Sequence, residues 1–116
     1  MSKIDNTVEM IKAIADKNRM RIVMMLSERP LCVCEIDSVL GIALSTISSH
    51  LKQMRSAGVI ESEKEGGWVV YRPSDDPLVS SIISDIKEQL ADDPEVRSDM
   101  TKIKTLCREE CAKNLK

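Results

Sequence analysis

At Gly58 the hydrophobic period of this chain changes. Before it, apolar residues recur every three or four positions; after it, they alternate with polar ones. Ile47, Leu51 and Met54 stand at i, i+4 and i+7, the buried stripe of an amphipathic helix over about 44–57. Residues 59–64 and 68–72 alternate as strands do, and Glu65-Gly66-Gly67 joins them with a glycine pair suited to a tight hairpin. Ahead of these, a helix over 32–40 turns Ile36, Val39 and Leu40 inward and stops at Gly41, where glycine readily takes the left-handed conformation of a helix end. Two helices joined by a three-residue turn and followed by a hairpin form a winged helix-turn-helix, so the expected fold is mainly α with a β-hairpin wing.

The flanks are helical. Val8, Ile11 and Ala15 predict a short helix over 7–15, with Asn6 and Glu9 placed as a capping box. A second helix runs from 19 to 27, with Ile22, Met25 and Leu26 on one face, and Pro30 stops it or opens the next segment. Asp75-Asp76-Pro77 opens a fifth helix with Leu78, Ile82, Ile86 and Leu90 roughly on one side. Asp92-Asp93-Pro94 repeats the signal, an aspartate cap with proline at the first helical position, and opens a last helix over 94–114. The expected organisation is one domain over 1–116: helices 1 and 2 in 7–28, the helix-turn-helix in 31–57, the wing in 59–73 and the C-terminal helices in 76–114.

A chain of 116 residues with no Phe, one Trp and one Tyr must build one modest core from aliphatic side chains and its seven methionines. A domain this small gains from pairing with a copy of itself. The opening MSKIDNTVEM has no apolar run and no stretch approaches the ~20 apolar residues of a membrane span, so a cytoplasmic protein is expected. Its four cysteines, Cys32, Cys34, Cys107 and Cys111, are then thiols, ligands or redox switches rather than structural disulfides. One histidine, no glycine-rich phosphate loop and no nucleophile–base pair give no basis for an enzyme or a small organic substrate.

The second helix of a helix-turn-helix lies in the DNA major groove. Its candidate contacts here are Ser45, Thr46, Ser48, Ser49, His50, Lys52 and Gln53, mostly small and hydroxyl-bearing, able to bond bases or phosphates. Lys64 near the hairpin tip and Arg72 on its return strand are candidates for the flanking backbone. A net charge of −2 does not favour DNA through bulk electrostatics. Its distribution is more permissive, with basic residues in excess over 3–29 and ten acidic against seven basic from Asp75 onward. Polar helix faces also occur in any small helical domain. His50, at the edge of its buried stripe, reads as a packing residue or phosphate contact rather than a ligand. Trp68 and Tyr71 read as hairpin anchors, and Glu35 and Asp37 as solvated or capping charges.

Cys32 and Cys34 are one residue apart. Inside a regular helix they would point about 200° apart. Just after Pro30 the backbone is not yet committed to helical angles, so the sulfurs can converge, and the helix N-terminus favours thiolate. A lone cysteine is usually a small buried apolar residue; a pair in this setting points to a soft ion. Cys107 and Cys111, four apart on the expected last helix, share a face there.

"NRMRIVMML", "LCVCEI" and "ISSHLKQMRSAGVIESEKEGGWVVYR", in this order and spacing, resemble the ArsR/SmtB family of metal- and metalloid-responsive winged-helix repressors, over about 18–73 and more loosely beyond. The resemblance implies a homodimer joined through the first and last helices, with one recognition helix per subunit on a double-stranded DNA operator. Cys-Val-Cys at the head of the third helix is similar to the arsenic-responsive branch. It implies that Cys32 and Cys34 bind trivalent arsenic or antimony, As(III) or Sb(III), and that the ion releases the operator. Linkage then requires bound DNA to weaken ion binding equally.

The best-known members supply a third thiolate three residues after the second cysteine. Here that position is Asp37, a hard carboxylate poorly suited to a soft centre. A third sulfur would come from Cys107 or Cys111, of the same subunit or the other. Three other readings stay open at this point: cadmium, lead or zinc held by four thiolates; oxidation of the thiols; and an interaction module or metal buffer that no longer binds DNA.

Overall fold

Aspartate caps punctuate the chain where the Asp-Pro signals predict. The computed structural model describes residues 2–113. In order these form α1 (Lys3–Ile14), α2 (Lys17–Glu28), β1 (Leu31–Cys32), α3 (Val33–Leu40), α4 (Leu44–Ser56), β2 (Ile60–Glu65), β3 (Trp68–Pro73), α5 (Pro77–Gln89), α6 (Pro94–Lys104) and α7 (Arg108–Lys113). The Asp16 carboxylate accepts the Arg19 N–H at 3.0 Å, Asp76 accepts from Leu78 at 2.8 Å and Asp93 from Val96 at 3.0 Å. Pro77 and Pro94 fill first-turn positions, where no N–H is needed. The first helix departs from expectation. Ser2 caps it, accepting the Asp5 N–H at 3.3 Å, so α1 starts at Lys3 and Asn6 and Glu9 lie inside it rather than forming a capping box.

The wing is a three-stranded antiparallel sheet in the order β1-β3-β2. Glu65 pairs with Trp68, so Glu65 belongs to the strand and the loop shrinks to Gly66-Gly67, with Gly66 at φ +61°. Strand β1 was not expected. Leu31 pairs with Tyr71 and Cys32 with Val70, so the residues just after Pro30 are laced into the wing before α3 begins. The third helix therefore starts at Val33, with Cys32 in extended conformation as its N-cap.

The core centres on α2. Ile22, Val23, Met24, Met25 and Leu26 are at most 2% exposed. They pack with Ile36 of α3, Ile47, Leu51 and Met54 of α4, Ile60 of β2, Val79 of α5 and Ile103 of α6. Each fully buried side chain of this size contributes about 1.5–3 kcal/mol of transfer free energy, so the helix-turn-helix is set rigidly on α2. Helix α6 is bolted to α2 by Arg21, whose guanidinium takes both oxygens of buried Asp99 at 2.9 Å. Lys17 adds a 3.0 Å pair to Glu95.

The turn between α3 and α4 depends on Gly41, at φ +64°. No atom lies within 4 Å of where its Cβ would be, so substitution there brings backbone strain without a clash. Gly41→Ala should cost about 1–2 kcal/mol in urea unfolding. A loss near zero would mean that the turn relaxes out of the left-handed region.

The last helix is not continuous as expected. α6 ends at Lys104 with Thr105 as its cap, and the chain resumes helical angles only at Arg108. The interruption lets Leu106 pack inward and lays α7 along α3. The expected end at Asn114 lies outside the described residues. No helix among the described residues is long and apolar enough to cross a membrane.

Candidate functional site

The two cysteines of the Cys-Val-Cys motif do converge. Cys32 keeps an extended backbone (φ −90°, ψ 169°) while Cys34 is already in the first turn of α3, and this change of conformation brings the sulfurs to 2.7 Å as free thiols. Cys111 of α7 joins them in one buried cluster, covered by Trp68, Leu106 and Ala112. The Cys111 sulfur accepts the Ser38 hydroxyl at 3.2 Å, and the Cys34 thiol points to the Arg108 carbonyl oxygen at 3.8 Å.

Cys107 does not join them. It precedes α7, is exposed, and donates to Glu109 at 3.2 Å. The shared face expected for Cys107 and Cys111 is lost to the interruption at 105–107. No three His, Cys, Asp or Glu side chains among the described residues stand close enough together to enclose an ion as they are. Gathering three sulfurs around one ion requires them to shift from these positions.

Glu35, expected as a solvated or capping charge, caps but is not solvated: it is 1% exposed. Its carboxylate accepts the Cys32 N–H at 3.0 Å and pairs with Arg29 at 2.9 Å and Arg108 at 3.1 Å. Burial alone would raise its pKa. The Cys32 N–H and the two guanidinium groups outweigh burial and hold the carboxyl below its usual range. Cys34 goes the other way. Burial first, then the Cys32 thiol beside it, push it up to about 12, so the helix N-terminus does not favour thiolate here as expected. Asp37 is half-buried on α3 and the structure gives it no sulfur-like role.

The side chains gathered here are three sulfurs, the Ser38 hydroxyl and the Glu35 carboxylate, the last already engaged by Arg29 and Arg108, with the single histidine elsewhere. Thiolate sulfur selects soft, thiophilic centres, and carboxylate- or imidazole-loving ions have little to hold at this pocket. Trivalent arsenic or antimony, cadmium and lead all meet that description.

The candidate nucleic-acid face is separate. Ser45, Thr46, Ser48, Ser49, Lys52 and Gln53 are exposed along α4. His50 is half-buried, its Nδ1 3.4 Å from an Arg19 nitrogen, and Arg19 donates to the Gln53 side chain at 3.1 Å. Arg19 thus stands with the polar face of α4, although nothing in its spacing singled it out. Lys64 is exposed on β2. The Arg72 guanidinium is taken up by Glu63 and Glu61, so it is already neutralised on the wing. Arg55, which the sequence reading passed over, donates to Ser62 at 3.0 Å and ties the end of α4 to the wing.

Comparison with known proteins places this architecture. Residues 16–62 match the model of the arsR family of bacterial regulatory proteins. An uncharacterized HTH-type transcriptional regulator of Methanocaldococcus jannaschii is 37% identical over 89 residues, covering 76% of this chain and 99% of that protein. The arsenical resistance operon repressor of Escherichia coli is 40% identical over 68 residues, 58% of each chain. Among solved structures, HlyU from Vibrio cholerae superposes with a TM-score of 0.70 at 30% identity, covering 78% of this chain and 99% of that one. A structure of reduced HlyU gives a TM-score of 0.67. With its helix-turn-helix on α3 and α4 and its wing on β2 and β3, the chain belongs to the arsR family of bacterial regulatory proteins and is a transcriptional regulator, not an enzyme.

Proposed function

We propose that this chain is a cytoplasmic homodimeric transcriptional repressor that leaves its operator when trivalent arsenic or antimony is gathered by Cys32, Cys34 and Cys111. The observation that carries this reading is the all-sulfur cluster at the head of α3, buried under the tail and carried by the first helix of the DNA-reading pair. The arsenical resistance repressor of Escherichia coli supports the choice of inducer, as does the absence of imidazole from the pocket.

Arsenous acid condenses with three thiols to give three As–S bonds and three waters, with no net proton change. A divalent cation such as cadmium must instead expel thiol protons. Protonated thiols are therefore no obstacle to the neutral metalloid.

The switch follows from what the ion must move. Cys32 is both the last residue of β1 and the cap of α3, and α4 packs on α3. Drawing Cys111 away from Ser38 toward the pair shifts the head of α3 against the wing. A coupling of about 1–3 kcal/mol would change operator affinity roughly 5- to 150-fold.

A second copy is the expected cover for α1. Ile4, Val8 and Ile11 are exposed there, and a groove lined by Ile11, Ile14, Met20, Ile82 and Ile86 continues the apolar surface onto α5. A monomer this small would leave that surface wet. One solved relative in fold is described as homodimeric.

X-ray absorption at the arsenic edge tests the ligand set. Arsenite-loaded protein should show three As–S bonds, falling to two in Cys111→Ser and staying at three in Cys107→Ser. Three bonds in both single variants would remove Cys111 as the required third ligand.

Thiol oxidation is the second reading, favoured by the close approach of Cys32 and Cys34 and by the kinship with HlyU, solved in a reduced form. Peroxide would form the disulfide with loss of two waters. This reading predicts operator release by peroxide and none by arsenite under strong reductant.

A further inference from the structure

Helix α7 is six residues long, far below the length at which a helix holds itself together in water. It begins with Arg108, a cation at the end of a helix where the macrodipole disfavours positive charge. Something in the rest of the fold must hold it, and three contacts from two elements, α3 and β3, do. The Arg108 Nε donates to the buried Glu35 carboxylate of α3 at 3.1 Å. Its guanidinium lies over the Trp68 ring of β3, 6.0 Å from the centroid, within reach of a cation–π attraction. Its carbonyl receives the Cys34 thiol at 3.8 Å. Arg108 and Cys111 are three residues apart on α7 and share a face, so fixing the first fixes the second.

We propose that Arg108 is a positioning residue: clamped between Glu35 and Trp68, it docks α7 across the head of α3 and sets the Cys111 sulfur beside Cys32 and Cys34. Glu35 suits this role because Arg29 already anchors its other oxygen at 2.9 Å, leaving Oε1 as a fixed post for the tail. Through the same guanidinium the thiol pocket gains a second connection to the wing, apart from the β1–β3 ladder. A displacement of Cys111 is felt at Trp68, the only tryptophan in the chain. The arsenite arm of the following test rests on the ligand reading above; the labelling arm does not.

The experiment compares wild type with Arg108→Gln and Arg108→Met, the second keeping bulk over Trp68 without the charge. N-ethylmaleimide labelling is followed cysteine by cysteine by mass spectrometry, with exposed Cys107 as the internal reference. In either variant that keeps its helical circular dichroism, Cys111 should label at least tenfold faster relative to Cys107, and Trp68 emission should shift to the red. Arsenite-loaded Arg108→Gln should show two As–S bonds where wild type shows three.

Cys111 labelling at the wild-type rate in a folded variant overturns the proposal. So does retention of three As–S bonds with unchanged emission. A wild type that forms no As–S bonds sinks the proposed inducer, while the labelling result still decides what Arg108 does.

Discussion

Cys34→Ser is expected to leave the repressor bound to its operator at arsenite concentrations that free the wild type. The serine hydroxyl has no affinity for a thiophilic centre, and the two sulfurs that remain, Cys32 and Cys111, belong to different elements without the motif partner between them. The roughly 5- to 150-fold loss of operator affinity on arsenite addition should shrink to less than about twofold. Affinity without arsenite should hold, because Cys34 faces the tail rather than the exposed face of α4. Gel-shift titration with and without arsenite checks both halves. A variant released as readily as wild type would remove the cysteine pair from the switch.

The second large effect is structural. Asp99 is 2% exposed and holds Arg21 through two 2.9 Å contacts, the main polar link between α2 and α6. Asp99→Ala leaves that guanidinium facing a small hole. Breaking a fully buried pair costs about 3–5 kcal/mol. Arg21 is partly exposed and keeps Glu95 at 3.7 Å, which lowers the expected loss to about 2–3 kcal/mol. Thermal unfolding should drop by roughly 10 °C. Asp99→Asn, which keeps the shape and part of the hydrogen bonding, should lose less. Equal losses in the two variants would mean that packing, not the ion pair, sets the cost.

Much of this architecture is legible in the amino-acid order because the chain marks its own boundaries. Gly41 and the paired Asp76-Pro77 and Asp93-Pro94 signals act through local backbone chemistry, and the structure uses each where the spacing predicts. The convergence of Cys32 and Cys34 is legible for the same reason, since a helix start is a local event.

What escapes is whatever depends on a distant partner. Strand β1 is two residues long and exists only because Leu31 and Cys32 meet Tyr71 and Val70. The periodicity of 94–114 reads as one helix, yet Leu106 turns inward within, and Cys111 after, a break that no glycine or proline marks. Glu35 looks like any surface glutamate until Arg29 and Arg108 arrive from either side of it. The choice between Cys107 and Cys111 hangs on that same break, which is why both cysteines remain candidates in the sequence.

The short α7, hung on the body through one guanidinium, two hydrogen bonds involving sulfur and a few apolar contacts, has an evolutionary consequence. In the proposed reading, Cys111, one of the three sulfurs that would choose the chemical signal, sits on an appendage outside the layer that recognises DNA. A lineage could exchange the tail's sulfur for an imidazole, or move it by a turn, and acquire a different inducer while its promoter repertoire stayed as it was.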